Sequence, residues 1–374
     1  MQTETIPLWS PAPGTRRELL VYRFGSDAST GPVAYLQAGL HADEWPGLLV
    51  LQHLIPLLTK AEAEGRLKGR IILVPFANPV GMSQNIFGYV TGRFDLTGRG
   101  NFNRNFPTFN VGEFEIDALP DDLGPGFREF LKQSLQSRYP DNETDYLKQL
   151  LLGLALEADF VFDLHCDDYT AAHAYCADFQ QAKAAEVAGI LGFTHLFTEP
   201  LDGVIAFDGS ALKPWYDLLA ATGNTQLAAE MPLAMTLEYR GQIDVDDALA
   251  EDDAERLASV LQHCGVIGGV QPEPRLCEVE ISPLQAVDTV YAPETGLLVF
   301  RRQLGERLKT GEHYADIVRI DQLPPHNRLA LRARTDGVLM GLSHRRLVRP
   351  GDQIAKVAGT EALAHRRPGS LLQI

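Results

Sequence analysis

The sequence predicts an α/β fold, a sheet covered by helices on both faces, followed by a small β-domain. Three observations carry this. Apolar strand-like runs alternate with helical patterns as far as His263. From Gly269 onward the pattern changes to short strands and Gly-containing turns. The charge changes at the same place: the segment from Gly269 holds 15 Lys+Arg against 12 Asp+Glu, out of totals of 33 and 49 that leave the first part strongly acidic. At 374 residues the chain is long enough for two domains, 1–268 and 269–374.

Taken in order, Pro32–Leu40 (PVAYLQAGL) reads as a buried strand and Gly47–Leu58 as an apolar helix. Arg70–Phe76 (RIILVPF) is a second strand, ending at the loop Ala77-Asn78-Pro79. A polar, Gly- and Asn-rich stretch runs from Gly81 to Asn110. The acidic DALPDDLGPG that follows forms neither strand nor helix readily and is expected as an exposed excursion. Phe127–Leu156 has helical spacing of Phe, Leu and Tyr, broken at Tyr139-Pro140. Asp159–Leu164 is a third strand leading into His165, Gln180–Leu191 an Ala-rich helix, Leu233–Tyr239 (LAMTLEY) a fourth strand, and Asp246–His263 an amphipathic helix. In such sheets ligands bind beyond the carboxyl ends of the strands. His41, Asn78, His165 and Glu238 all lie at or just past such ends.

In the C-terminal part, Thr295–Ile317 and Asp336–Val357 look alike. Each opens on Gly and apolar residues and returns through a turn, Thr310-Gly311 or Pro350-Gly351. The repeat predicts a β-domain of two related halves, which resembles the barrel-sandwich fold of lipoyl and biotinyl carriers. A carrier needs a modifiable Lys between its halves. Glu312–Ala355 contains none, which argues against that role.

Composition narrows the partners. A net charge of −16 argues against nucleic acid and anionic membranes. No apolar run approaches the ~20 residues that span a bilayer, and the start, MQTETIPLWSP, lacks the features of a signal peptide. Four cysteines without a CxxC pair fit a reducing compartment. A cytoplasmic enzyme is the expectation.

The chemistry-bearing residues are few. His41 and Glu44, three apart in GLHADEWPG, can reach one ion from the same side. His165 in FVFDLHCDD is a third ligand candidate, and two His plus one Glu is a known catalytic zinc set that leaves a position for water. Asp163 shares the strand face of His165 and is expected to support it. Cys166 points to the opposite face and reads as packing. Glu238 sits inside an apolar strand, where a carboxylate needs a partner or a purpose. A general base acting on water is one reading, and a salt bridge with Arg240 on the same strand face is the other. Arg93, Arg99, Asn103 and Arg104 lie in TGRFDLTGRGNFNRNFP, a basic cluster in an acidic domain that suggests an anionic substrate group.

In order, GLHADEWPG, ANPVG, NFNRNFP, DLHC and TLEYRG resemble the motifs of the succinylglutamate desuccinylase/aspartoacylase family, a branch of the zinc carboxypeptidase superfamily. The resemblance spans Leu40–Gly241. It implies a mixed, mostly eight-stranded sheet flanked by helices, with the C-terminal β-domain near the site entrance. It also implies one Zn2+ per chain on His41, Glu44 and His165, and Glu238 as general base and proton shuttle. Asn103 and Arg104 match the pair that contacts a substrate carboxylate. A second Arg of the family stabilises the oxyanion; GRFD favours Arg93 over Arg99 for it. The acidic segment Gly112–Tyr139 is longer than simple family members need, and no substrate-capping Tyr is assignable.

The function so implied is zinc-dependent hydrolysis of the amide of an N-acyl amino acid or similar small carboxylate. The alternatives are a metallocarboxypeptidase on short peptides and a non-catalytic ligand-binding member. A homo-oligomer is compatible with either.

Overall fold

The computed structural model describes residues 1–114, 123–203, 205–225, 227–269 and 276–366. Its centre is a nine-stranded mixed sheet. The strands are β1 (Gln2–Pro7), β2 (Glu18–Phe24), β3 (Val33–Ala38), β4 (Arg70–Val74), β5 (Phe160–Asp167), β6 (His173–Ala177), β7 (His195–Glu199), β8 (Leu233–Gly241) and β9 (Glu280–Pro283). They lie in the order β1-β2-β4-β3-β5-β8-β6-β7-β9. The four middle strands β4, β3, β5 and β8 are mutually parallel. Every residue of β3 is buried, as expected of a parallel strand covered on both faces.

Helices supply the cover. The residues of β3 and β5 alternate between two cores: Leu36, Ala38, Phe162 and Leu164 enter one, Val33, Tyr35 and Val161 the other. The first core is closed by α1 (Pro46–Ala63), α4 (Gln181–Leu191) and α6 (Asp247–His263). The second is closed by α2 (Leu123–Gln136), α3 (Glu143–Ala155) and α5 (Phe207–Thr222). The break expected at Tyr139-Pro140 separates α2 from α3, and α3 restarts at Asn142, whose side chain accepts from the Asp145 N–H at 3.0 Å. Of the acidic excursion, residues 115–122 lie outside the described residues, and its last four, Leu123–Gly126, begin α2 instead of a loop.

The sheet has nine strands where the resemblance implies about eight. One edge strand, β9, comes from beyond Gly269 and pairs in parallel with β7. Its four residues, EISP, carry too short an apolar pattern to be read as a strand in the sequence. After it the chain forms two four-stranded sheets from β10 (Val287–Tyr291), β11 (Gly296–Phe300), β12 (Arg307–Leu308), β13 (His313–Val318), β14 (Arg328–Arg332), β15 (Gly337–Leu342), β16 (Leu347–Val348) and β17 (Gln353–Ala358). The two expected halves are β11–β13 and β15–β17. The two-residue middle strand of each half crosses over: β12 pairs with β15, and β16 with β11.

This two-sheet region meets the central sheet at the loop after β5. Thr170 and Gly341 form an antiparallel bridge. Leu342 N–H donates to the Tyr169 carbonyl at 2.9 Å, and Ala171 N–H to the Met340 carbonyl at 3.3 Å. Among the described residues no helix is long and apolar enough to cross a membrane.

Candidate metal centre and active site

The ends of β3 and β5 bring the three ligand candidates together. His41 follows β3 in a tight turn in which the Glu44 N–H donates to the His41 carbonyl at 3.1 Å, and Pro46 then starts α1. Helix α1 sits close on the sheet because residue 47 is glycine: a Cβ there would stand 2.9 Å from Leu164 Cβ. His165 comes in on β5. Ligand atoms of His41, Glu44 and His165 lie within 4.8 Å of one another, and all three residues are buried. Glu44 is the hinge of the group, with Oε1 2.9 Å from His41 Nδ1 and Oε2 2.7 Å from His165 Nδ1. The Cys166 N–H also donates to Glu44 Oε2, at 3.1 Å.

Both imidazoles are fixed from behind. His41 Nε2 donates to Asn101 Oδ1 at 2.8 Å, and His165 Nε2 to Asp163 Oδ2 at 2.9 Å. An Asn carbonyl and a carboxylate only accept, so each ring has a proton on Nε2, and Nδ1 faces Glu44. Asp163, placed as expected, is held in turn by Gln37 Nε2 at 2.9 Å, and Gln37 Oε1 accepts from the Tyr35 hydroxyl at 2.6 Å. This is the layered support that metal-binding histidines require.

The charges of these groups act strongly on one another. Burial pushes the His41 pKa down to about 4, against the pull of Glu44, and so keeps it neutral. Burial alone would raise Glu44, but His41 and His165 outweigh it and hold the carboxyl well below its usual range. At His165 burial is overcome by Asp163 and Glu44, which hold the imidazole well above its usual value. Two imidazole nitrogens and a carboxylate oxygen are the donor set of a three-ligand zinc site. Cys166 is not part of the cluster; it has the strand parity of Phe162 and Leu164, and burial pushes its thiol far up.

Glu238 lies on β8 directly beside His165 in register. Its Oε2 is buried and finds no hydrogen-bond partner among the described residues. Burial, and then the charge of Glu44, push its carboxyl up to about 8. The salt bridge with Arg240 is absent for a backbone reason. The register shifts between Glu238 and Gly241, Arg240 takes a φ of 65°, and its guanidinium turns to Asp253, with Nη1 3.2 Å from Oδ1.

The polar stretch after Asn78 is a built part of the site. Arg93 Nη1 donates to Glu44 Oε1 at 3.1 Å, while Arg99 is exposed. Asn103 is buried; its N–H donates to Asn101 Oδ1 at 2.8 Å and its Oδ1 accepts from the Phe207 N–H at the start of α5 at 2.7 Å. Its Nδ2 is 3.4 Å from His165 Nε2. Arg104 Nη1 donates to the Asn103 carbonyl at 2.6 Å.

Sequence reasoning missed two residues that hold this loop. Asn101, which fixes His41, was hidden among the asparagines of NFNRNFP. Lys148, on α3, donates from Nζ to the carbonyls of Asn101 at 3.1 Å and Arg104 at 2.7 Å. It is 2% exposed, and burial lowers its pKa to about 8. Nothing in the helical pattern of α3 marks that lysine as inward-facing.

A family model described as the succinylglutamate desuccinylase/aspartoacylase catalytic domain matches residues 30–264. Among curated proteins, an N-alpha-acetyl-L-2,4-diaminobutyric acid deacetylase from Halomonas elongata is 26% identical over 339 residues, covering 88% of this chain and 82% of the relative. A crystal structure of a succinylglutamate desuccinylase/aspartoacylase family protein from Shewanella amazonensis superposes with a TM-score of 0.86 at 28% identity, covering 96% of this chain and 98% of that one. One from Shewanella frigidimarina gives 0.84 at 25% identity, covering 97% and 98%.

Proposed function

The chain belongs to the succinylglutamate desuccinylase/aspartoacylase family, and on that premise we propose that it is a zinc-dependent deacylase that hydrolyses the amide of an N-acyl amino acid or similar small carboxylate. That it is a metal-dependent hydrolase acting on a small acylated compound rests on the His41–Glu44–His165 cluster in a chain of this family. The finer reading rests above all on Glu238, which has a buried carboxylate oxygen without a partner among the described residues, on the strand beside His165. The H. elongata relative, named for removing an acetyl group from an amino acid, makes N-acetyl amino acids the first substrates to try.

One zinc ion per chain, held by His41, Glu44 and His165, would act as a Lewis acid and bring the pKa of an attacking water towards ~7. Glu238 Oε2 takes a proton from that water as its oxygen bonds to the acyl carbon. The Arg93 guanidinium donates to the carbonyl oxygen as negative charge develops there. Glu238 then passes its proton to the amide nitrogen and the C–N bond breaks; the proton left on the new acid goes to the amine, so that a carboxylate and an ammonium leave. Arg104 and the Asn103 amide hold the substrate's carboxylate so that the acyl carbon meets the water.

The test is a hydrolysis panel of N-acetyl, N-succinyl and N-formyl amino acids with zinc-loaded protein, and dipeptides as the competing class. Hydrolysis of an N-acyl amino acid ahead of every dipeptide supports the reading, and the reverse order replaces it with a carboxypeptidase. Glu238→Ala should still bind zinc but lose activity by on the order of a hundredfold or more. Full turnover in that variant would sink the mechanism.

A further inference from the structure

The strand face that carries His165 has another occupant, which the deacylase reading leaves unused. His165 and Asp167 are two residues apart on β5 and so point the same way, with Glu238 beside them on β8. Asp167 is met by Lys356 Nζ, which reaches in from β17 of the C-terminal region. Both side chains are largely enclosed, at 18% and 20% exposed. The residue opposite Lys356 is a glycine that packs on Thr170. Lys356 pairs in register with Gly341 on β15, and a Cβ at 341 would stand 3.4 Å from Lys356 Cβ, 3.5 Å from its Cδ and 3.0 Å from Thr170 Cγ2. Thr170 in turn donates its hydroxyl to the Arg240 carbonyl at 3.0 Å, two residues past Glu238.

A buried ammonium is costly unless paired. Burial opposes the charge on Lys356, yet Asp167, and beyond it Tyr175 and Glu238, hold it firmly protonated. Without the lysine, Asp167 would present an uncompensated negative charge on the same face as Glu44 and Glu238. We infer that Lys356 is a positioning residue of the active site contributed by the C-terminal β-region: it anchors Asp167 across the seam and sets a fixed positive charge near the Glu238 carboxylate. The catalytic half of this inference rests on the deacylase reading, and the anchoring half stands without it.

The experiment compares zinc-loaded wild type, K356M and K356M/D167N in the full chain. It measures kcat and KM on the best substrate of the panel, and amide hydrogen exchange at Ala171 and Leu342, whose N–H groups cross the seam. K356M is expected to lower kcat roughly 10- to 100-fold with little change in KM, and to speed exchange at both amides. Removing the stranded charge in K356M/D167N should recover part of the lost kcat, which simple loss of packing would not allow. Wild-type kcat in K356M, a loss confined to KM, or a double variant no better than K356M each overturns the positioning role. Unchanged exchange in K356M overturns the anchoring. If K356M does not fold, the charge-free double variant carries the test through exchange and kcat against wild type. A wild type that hydrolyses nothing in the panel sinks the deacylase reading, and the catalytic half with it; exchange then decides the seam alone.

Discussion

Each imidazole of the His41–Glu44–His165 cluster is gripped at both ring nitrogens, and the outer grips differ in kind. His165 leans on a carboxylate, Asp163, and His41 on an uncharged amide, Asn101. Asn101 also accepts the Asn103 N–H, so one side chain sets both His41 and Asn103, the residues proposed to hold zinc and substrate. Asn101→Ala should therefore weaken zinc binding by roughly 10- to 100-fold, measured by competition with a chelator. An unchanged affinity would mean that the turn at His41 orients the ring unaided. Position marked His41, Glu44, His165 and Glu238: each falls at or near the end of an apolar strand-like run, and a carboxylate inside such a run needs a reason. Asn101 and Lys148 escaped because they work through an amide and through peptide carbonyls. Any polar residue in a loop or on a helix has the same appearance until its direction is known.

At the level of elements, the site depends on how closely α1 lies on the sheet. Gly47 is in its first turn, and a methyl group there would press on Leu164 Cβ at 2.9 Å and on Ala38 Cβ at 3.4 Å. Both contacts are on strands that end in ligands. Gly47→Ala should lift the start of the helix and carry Glu44 with it. The expected cost is about 1–3 kcal/mol of stability together with weaker zinc binding, readable by denaturant melts with and without metal. Loss of stability without loss of affinity would show that the turn at 41–45 absorbs the shift. Strands β3, β4, β5 and β8 were legible because each is a run of buried apolar residues. The bulge in β8 was not: LEYRG alternates as a regular strand would, and only the φ of Arg240 breaks the pattern. The crossed two-residue strands β12 and β16 were likewise invisible, since two residues have no period.

Over the whole molecule, one buried histidine away from the ligands gives the fold an acid sensitivity. His173 donates from Nδ1 to the Ala171 carbonyl at 2.8 Å, and its Nε2 has no partner among the described residues. Burial, and then the charge of Lys356, lower its pKa to about 4. The unfolded chain takes up this proton near ~6.5. The stability due to neutral His173 is thus complete above that pH and is lost progressively as pH falls to about 4, by on the order of a few kcal/mol. H173N, which keeps a donor and cannot ionise, should show a shallower decline in stability across that window than wild type. Parallel declines would rule His173 out as the source. The change of composition near Gly269 marked where the C-terminal region begins to differ. That its first strand returns to edge the central sheet depends on a pairing between distant residues, which no local pattern records.

That ninth strand bears on how the protein can be cut. The segment matched by the family's catalytic-domain model, 30–264, omits β1 and β2 on one side of the sheet and β9 on the other. A clone trimmed to those limits would carry all the ligands and Glu238, yet leave β4 and β7 as bare borders with unsatisfied backbone groups, an invitation to stick to other chains. The segment that matches the catalytic-domain model is smaller than the sheet it belongs to.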